Sequence, residues 1–155
     1  MAQTFIKAEG LNKLISKFRR RERGVLSEQI MGEIATYLIQ AILRRTEQGV
    51  GADRQHFKPY HPKYRLFREE TGHQGTPVNL HYTATGGMLS SMTFKATAEQ
   101  AEIFFMPTSV PGQKVTNPQK AFYNQQSRDF FGISVHEQDQ IREMVREYIH
   151  NILRD

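Results

Sequence analysis

Apolar positions recur at helical spacing in three stretches of the chain and alternate in one. Leu11, Leu14, Ile15 and Phe18 follow the i, i+3, i+4, i+7 spacing of one helix face. The run Arg19, Arg20, Arg21, Glu22, Arg23 comes next, and Gly24 is expected to end that helix. A second stripe, Ile30, Ile34, Tyr37, Leu38, Ala41 and Ile42, predicts a longer helix. Ser27 stands at its N-cap, Glu28 in the first turn complements the helix dipole, and Leu26 is placed to pack on Met31. Arg44 and Arg45 fall in its last turn, and Gly49 with Gly51 stops it. The third stripe, Ile141, Met144, Val145, Tyr148, Ile149 and Ile152, belongs to a closing helix. Ser134 and Glu137 open it with the S-x-x-E spacing of a capping box.

The alternating stretch is Ser91 to Thr97, which puts Met92, Phe94 and Ala96 on one face of a strand. A turn at Ala98-Glu99-Gln100 leads into a second strand, Ala101 to Met106, making a hairpin. A loop from Pro107 to Pro118 follows, and a short third strand is expected at Ala121–Asn124. Residues 50–88 have no period. They mix Pro59, Pro62 and Pro77 with Phe57, Tyr60, Tyr64, Phe67 and Tyr82, and hold four of the six His. A short helix is expected around Lys63–Glu69. Aromatic residues in a long irregular segment suggest an arm that packs on something, either a neighbouring subunit or its own domain. The five rings Phe57, Tyr60, Tyr64, Phe67 and Tyr82 are the candidate inter-subunit contacts. The pattern as a whole predicts a single α+β domain over residues 1–155. Its amphipathic helices, N-terminal and C-terminal, pack on a small antiparallel sheet, and residues 50–88 form the arm.

Composition narrows the chemistry. The 155 residues are 38% hydrophobic and 24% charged, with mean hydropathy -0.60. That is polar, yet ten Phe and six Tyr leave enough apolar surface for one core. With no Cys, disulfide scaffolds, thiolate metal sites and thiol catalysis are excluded. No apolar run is long enough for a membrane span, and the N-terminal stretch lacks the uninterrupted apolar core of a secretory signal.

His136-Glu137-Gln138-Asp139-Gln140 starts like a zinc-protease H-E-x-x-H, but Gln140 replaces the second ligand. His56, His61, His73 and His81 match no ligand spacing. Gly86-Gly87 lacks the G-K-[ST] ending of a phosphate loop, and no G-x-S-x-G elbow occurs. Glu69-Glu70 lies in charged surroundings rather than in the apolar pocket that separates catalytic carboxylate pKa values. No catalytic residue, metal ligand or cofactor site is therefore expected, and the chain does not read as an enzyme. The formal net charge of +5 allows contact with an acidic partner. Arg19, Arg20, Arg21 and Arg23 are the candidate residues for DNA or another acidic surface, in competition with a plain solvated helix end.

Three segments, taken in order, carry a family resemblance. They are Gly51-Ala52-Asp53-Arg54-Gln55-His56-Phe57-Lys58-Pro59-Tyr60, then Thr85-Gly86-Gly87-Met88-Leu89-Ser90-Ser91-Met92, then Ser127-Arg128-Asp129-Phe130-Phe131-Gly132-Ile133-Ser134 before the last helix. The layout resembles the phage virion morphogenesis proteins, neck or tail-completion components of tailed phages, over about residues 11–153. Phe57 stands where that family usually has Trp, and Gly86-Gly87 adds a residue to its T-G-x-L-x-x-S segment. The resemblance implies a homo-oligomeric ring, sixfold or twelvefold, that joins the DNA-filled head to the tail. Its partners would be a head-side adaptor or connector and tail-tube or tail-terminator proteins, with non-specific contact to packaged DNA and none to membrane. It would be found in the host cytoplasm during assembly and then in the neck of the virion. Arg128, Phe130, Phe131, Gly132 and Ser134 would be structural residues of the family motif. The reading from a different class is a small basic nucleic-acid-binding regulator acting through Arg19–Arg23.

Overall fold

The computed structural model describes residues 26–70, 87–107 and 114–154. The expected first helix, the run Arg19–Arg23, Tyr82, His73 and His81 lie outside these residues.

Helix α1 runs from Glu28 to Glu47. Ser27 caps it, its side chain accepting from the Ile30 N–H at 3.4 Å. Ile30, Met31, Ile34, Ala35, Leu38 and Ile42 are buried along one face, which is the stripe read from sequence with Met31 and Ala35 added and with Tyr37 and Ala41 only half-buried. The hairpin lies against that face. Strands β1, Met92–Ala96, and β2, Ala101–Phe105, pair antiparallel, with Met92 opposite Phe105, Phe94 opposite Ile103 and Ala96 opposite Ala101. Ala101, Ile103 and Phe105 are buried on the shared inner face, and the Phe94 ring reaches the backbone of α1 at Gly32. On the outer face the Lys95 ammonium sits over the Phe104 ring. The α+β class and the packing of helices on a small antiparallel sheet are as the sequence predicts.

Helix α2, Pro62–Glu70, and a single helical turn α3, Gly87–Ser90, occupy the described ends of the aperiodic segment. Helix α4, Asn117–Ser127, corrects the sequence reading. Ala121–Asn124, expected as a third strand, is helical, and the described sheet has two strands. Phe122 and Tyr123 are strand-prone residues, but local signals upstream decide the outcome. The Gln119 carboxamide accepts from the Thr116 N–H at 2.9 Å, and Pro118 sits in the first turn, where it has no N–H to lose.

Helix α5, Val135–Ile152, closes the domain antiparallel to α1. Its Ile141 and Val145 are buried, Met144, Tyr148 and Ile149 flank the core, and Ile152 is exposed. The two helices are joined at both ends. The Tyr148 hydroxyl donates to the Ser27 Oγ at 2.7 Å, and Arg45 meets Glu137 at the other end.

Candidate functional site

The first and third of the segments that carry the family resemblance come together around the C-terminal end of α1. Gly49 takes a positive φ of 71°, turning the chain so that its carbonyl accepts from the Phe57 N–H at 2.8 Å. Gly51 N–H donates to Gln55 O at 2.8 Å, and Val50 forms an isolated bridge with His56. The loop is then tied to the third motif segment. Ala52 N–H donates to Asp129 O at 2.7 Å, and a Cβ on Gly132 would lie 2.8 Å from the Ala52 Cβ. Gly51 is equally close-fitted, since a Cβ there would meet Asp129 O at 2.9 Å.

Beneath this junction lies a buried ion pair. The Arg45 guanidinium binds Glu137 Oε1 and donates to the carbonyls of Phe130 and Gly132 at 2.8 and 3.0 Å. Glu137 Oε2 accepts from the Ser134 N–H at 2.7 Å, while Ser134 Oγ accepts from the Glu137 N–H. One carboxylate thus completes the capping box of α5 and neutralises the arginine. The sequence places Arg45 at a helix end, where dipole complementation is the ordinary expectation. Its burial beside Glu137 was not legible there, because the pairing spans 92 positions.

Phe130 and Phe131 are buried and form a ring cluster with Phe105, centroids 6.2 and 5.2 Å from it. Phe57 is also in the core, 8% exposed. Of the two alternatives for the arm, a neighbouring subunit or its own domain, Phe57 takes its own domain: backbone bonds at Gly49 and Gly51 fold residues 49–57 inward. Tyr60 is half-buried at the edge of the core. The guanidinium groups of Arg68 and Arg128 lie 4.6 and 4.8 Å from its ring centroid. Burial pushes the Tyr60 phenol above its ordinary value, against the lowering pull of the two arginines. Arg128 also donates to Lys58 O at 3.4 Å. Tyr64 packs edge-on to Tyr60 and stacks with Phe67.

Family models, curated proteins and solved structures offer no match to this chain. Among the described residues no group of three His, Asp or Glu side chains could hold a metal ion, and no helix is long and apolar enough to cross a membrane. The elements gathered at this junction are glycines at close approaches, an internal ion pair and a ring cluster. Among the described residues large apolar side chains face outward at several places, Phe94, Val135, Ile152 and Leu153 included, and two groups are close together in sequence. One is α2, with Tyr64, Leu66 and Phe67. The other is Met106, Val115, Phe122 and Tyr123, which lie on either side of residues 108–113 in the sequence.

Proposed function

We propose that this chain is a structural subunit of the tailed-phage head–tail junction, a neck or tail-completion protein that acts as a homo-oligomeric ring. The observation that carries the reading is the convergence of the first and third resembling segments. Gly51–Tyr60 and Ser127–Ser134 interlock through Ala52, Asp129, Gly132 and Arg128. Met88, in the middle segment, instead contacts α4, receiving the Asn124 side-chain N–H on its sulfur at 3.8 Å. Residues that build one scaffold suit a protein whose work is assembly.

In this mechanism a rigid domain presents apolar surface that a neighbour covers. The residues assigned to that contact are Phe122 and Tyr123, 42% and 60% exposed on α4. Their rings sit edge to face, 6.0 Å apart. Exposed aromatic side chains of this kind are the usual anchors of protein interfaces. The ring would be sixfold or twelvefold, assemble in the host cytoplasm, and join a head-side adaptor or connector to tail-tube or tail-terminator proteins.

Electron microscopy of a phage lysate produced without the gene tests the reading. Full heads beside separate tails, or heads that leak DNA, are the expected result. Intact infectious particles would overturn it.

A further inference from the structure

The charge of the chain is unevenly placed. Residues 54–68 and 103–128 contain no Asp or Glu but hold eight of the 21 Lys and Arg. The rest of the chain then has thirteen basic against sixteen acidic residues. Arg128 joins the two stretches in space, with its guanidinium over the Tyr60 ring and bonded to the Lys58 carbonyl. Lys58, Lys63 and Arg65 are exposed on the same segment.

Helix α2 is inverted relative to an ordinary surface helix. Arg68 is 4% exposed, whereas Tyr64, Leu66 and Phe67 are 37%, 59% and 47% exposed. The Tyr64 and Phe67 rings lie within 24° of parallel. Among the described residues the carboxylates flanking these stretches are Asp53, whose Oδ1 accepts from the Gln55 N–H, Glu69 and Glu70 at the end of α2, Glu102 on β2, and Asp129 next to Arg128. Asp129 accepts from Gln125, turning it toward α4, and Glu69 is in an exposed pair with Arg65 that a phosphate can replace at little cost.

We propose that this face binds single-stranded nucleic acid. Lys58, Lys63, Arg65 and Arg128 meet phosphates, and Tyr64 and Phe67 stack on unpaired bases. This assigns the outer face of α2 to nucleic acid rather than to a neighbouring subunit, independently of the ring reading. Lysine is depleted at protein interfaces, and two copies meeting through this face about a twofold axis would oppose like charges. An acidic protein partner would account for the cations but leave the near-parallel exposed rings without a role.

The test is fluorescence anisotropy of a labelled oligothymidylate of about 20 nucleotides with the purified chain, titrated between about 50 and 200 mM salt. Three or four phosphate contacts predict a log–log salt slope of about −2 to −3. Lys63→Glu with Arg65→Glu should weaken binding by about tenfold or more, removing two of those contacts and adding repulsion. Tyr64→Ser with Phe67→Ser should weaken it by about five- to a hundredfold at an unchanged salt slope. All four side chains are exposed, and a thermal melt of each variant confirms that it is folded. Absence of binding at the lowest salt overturns the proposal. So does loss on Arg20→Ala with Arg21→Ala while the α2 variants bind normally. Equal binding of duplex DNA or polyglutamate, insensitive to the ring substitutions, overturns it as well.

Discussion

Arg45, in the last turn of α1, is bound to Glu137, the third residue of α5, and both side chains are buried. Removing one partner strands a charge in the core, which costs about 3–5 kcal/mol. Arg45→Met should cost that much, since the Phe130 and Gly132 carbonyls lose their donor as well. Glu137→Leu alone should also destabilise, and the double variant should lose much less than the sum of the two. Urea unfolding of all four proteins gives the coupling directly, and strict additivity would mean the pair does not act as a unit.

The contact between Gly132 and Ala52 fixes how closely the two motif segments approach. A methyl group on Gly132 has to displace Ala52, so Gly132→Ala should cost about 1–3 kcal/mol. Ala52→Gly in the same chain should recover part of that loss by removing the opposing methyl. If Ala52→Gly lowers the Tm of Gly132→Ala further, the clash is not the cause.

Tyr60 gives the fold a pH dependence on the alkaline side. Burial favours the neutral phenol, so its folded-state pKa lies above the ordinary 10.0. The unfolded chain therefore loses this proton first as pH rises. Stability from Tyr60 is complete below pH 10.0 and is lost progressively above it. Tyr60→Phe keeps the ring beneath Arg68 and Arg128 without the ionisable group. Its Tm should fall less steeply above that pH than the parent's. Tyr37, also raised mainly by burial, leaves a shared background slope in both proteins. Parallel curves would remove Tyr60 from the alkaline transition.

Phe130 and Arg128 are two residues apart and should behave differently. Phe130 is fully buried, and truncation to Ala should cost about 3–5 kcal/mol. Arg128 lies at the C-cap of α4, stacked on Tyr60. Arg128→Ala should cost only about 1 kcal/mol from lost stacking. Its larger effect should be on binding by the α2 face. Denaturant midpoints for the two variants, measured together, separate these roles.

What the sequence disclosed and what it concealed divide along a physical line. The caps and apolar stripes of α1 and α5, and the alternation of Met92, Phe94 and Ala96, are written in side chains and could be read directly. The helical state of Asn117–Ser127 was also written there, in Thr116, Pro118 and Gln119, but Phe122 and Tyr123 drew the reading toward a strand. The inward fold of residues 49–57 had no such signature beyond its glycines. It is held by backbone groups of Gly49, Gly51 and Ala52, which are alike in most residues. The Arg45–Glu137 pair was hidden because each member has an adequate local explanation. Of the candidate rings, Phe57 proved to be core, while Tyr60, Tyr64 and Phe67 lie together along the edge of α2.

The double fastening of α1 to α5 also bears on the order in which the chain is made. Ser27 and Arg45, at the two ends of α1, find their partners at Tyr148, Phe130, Gly132 and Glu137, all in the last third of the sequence. A ribosome delivers α1 long before those groups exist, so its arginine must wait in water or on a chaperone even after the hairpin has covered its apolar stripe. Chains stopped before Glu137 should then be cleared by proteases, so that only complete subunits persist.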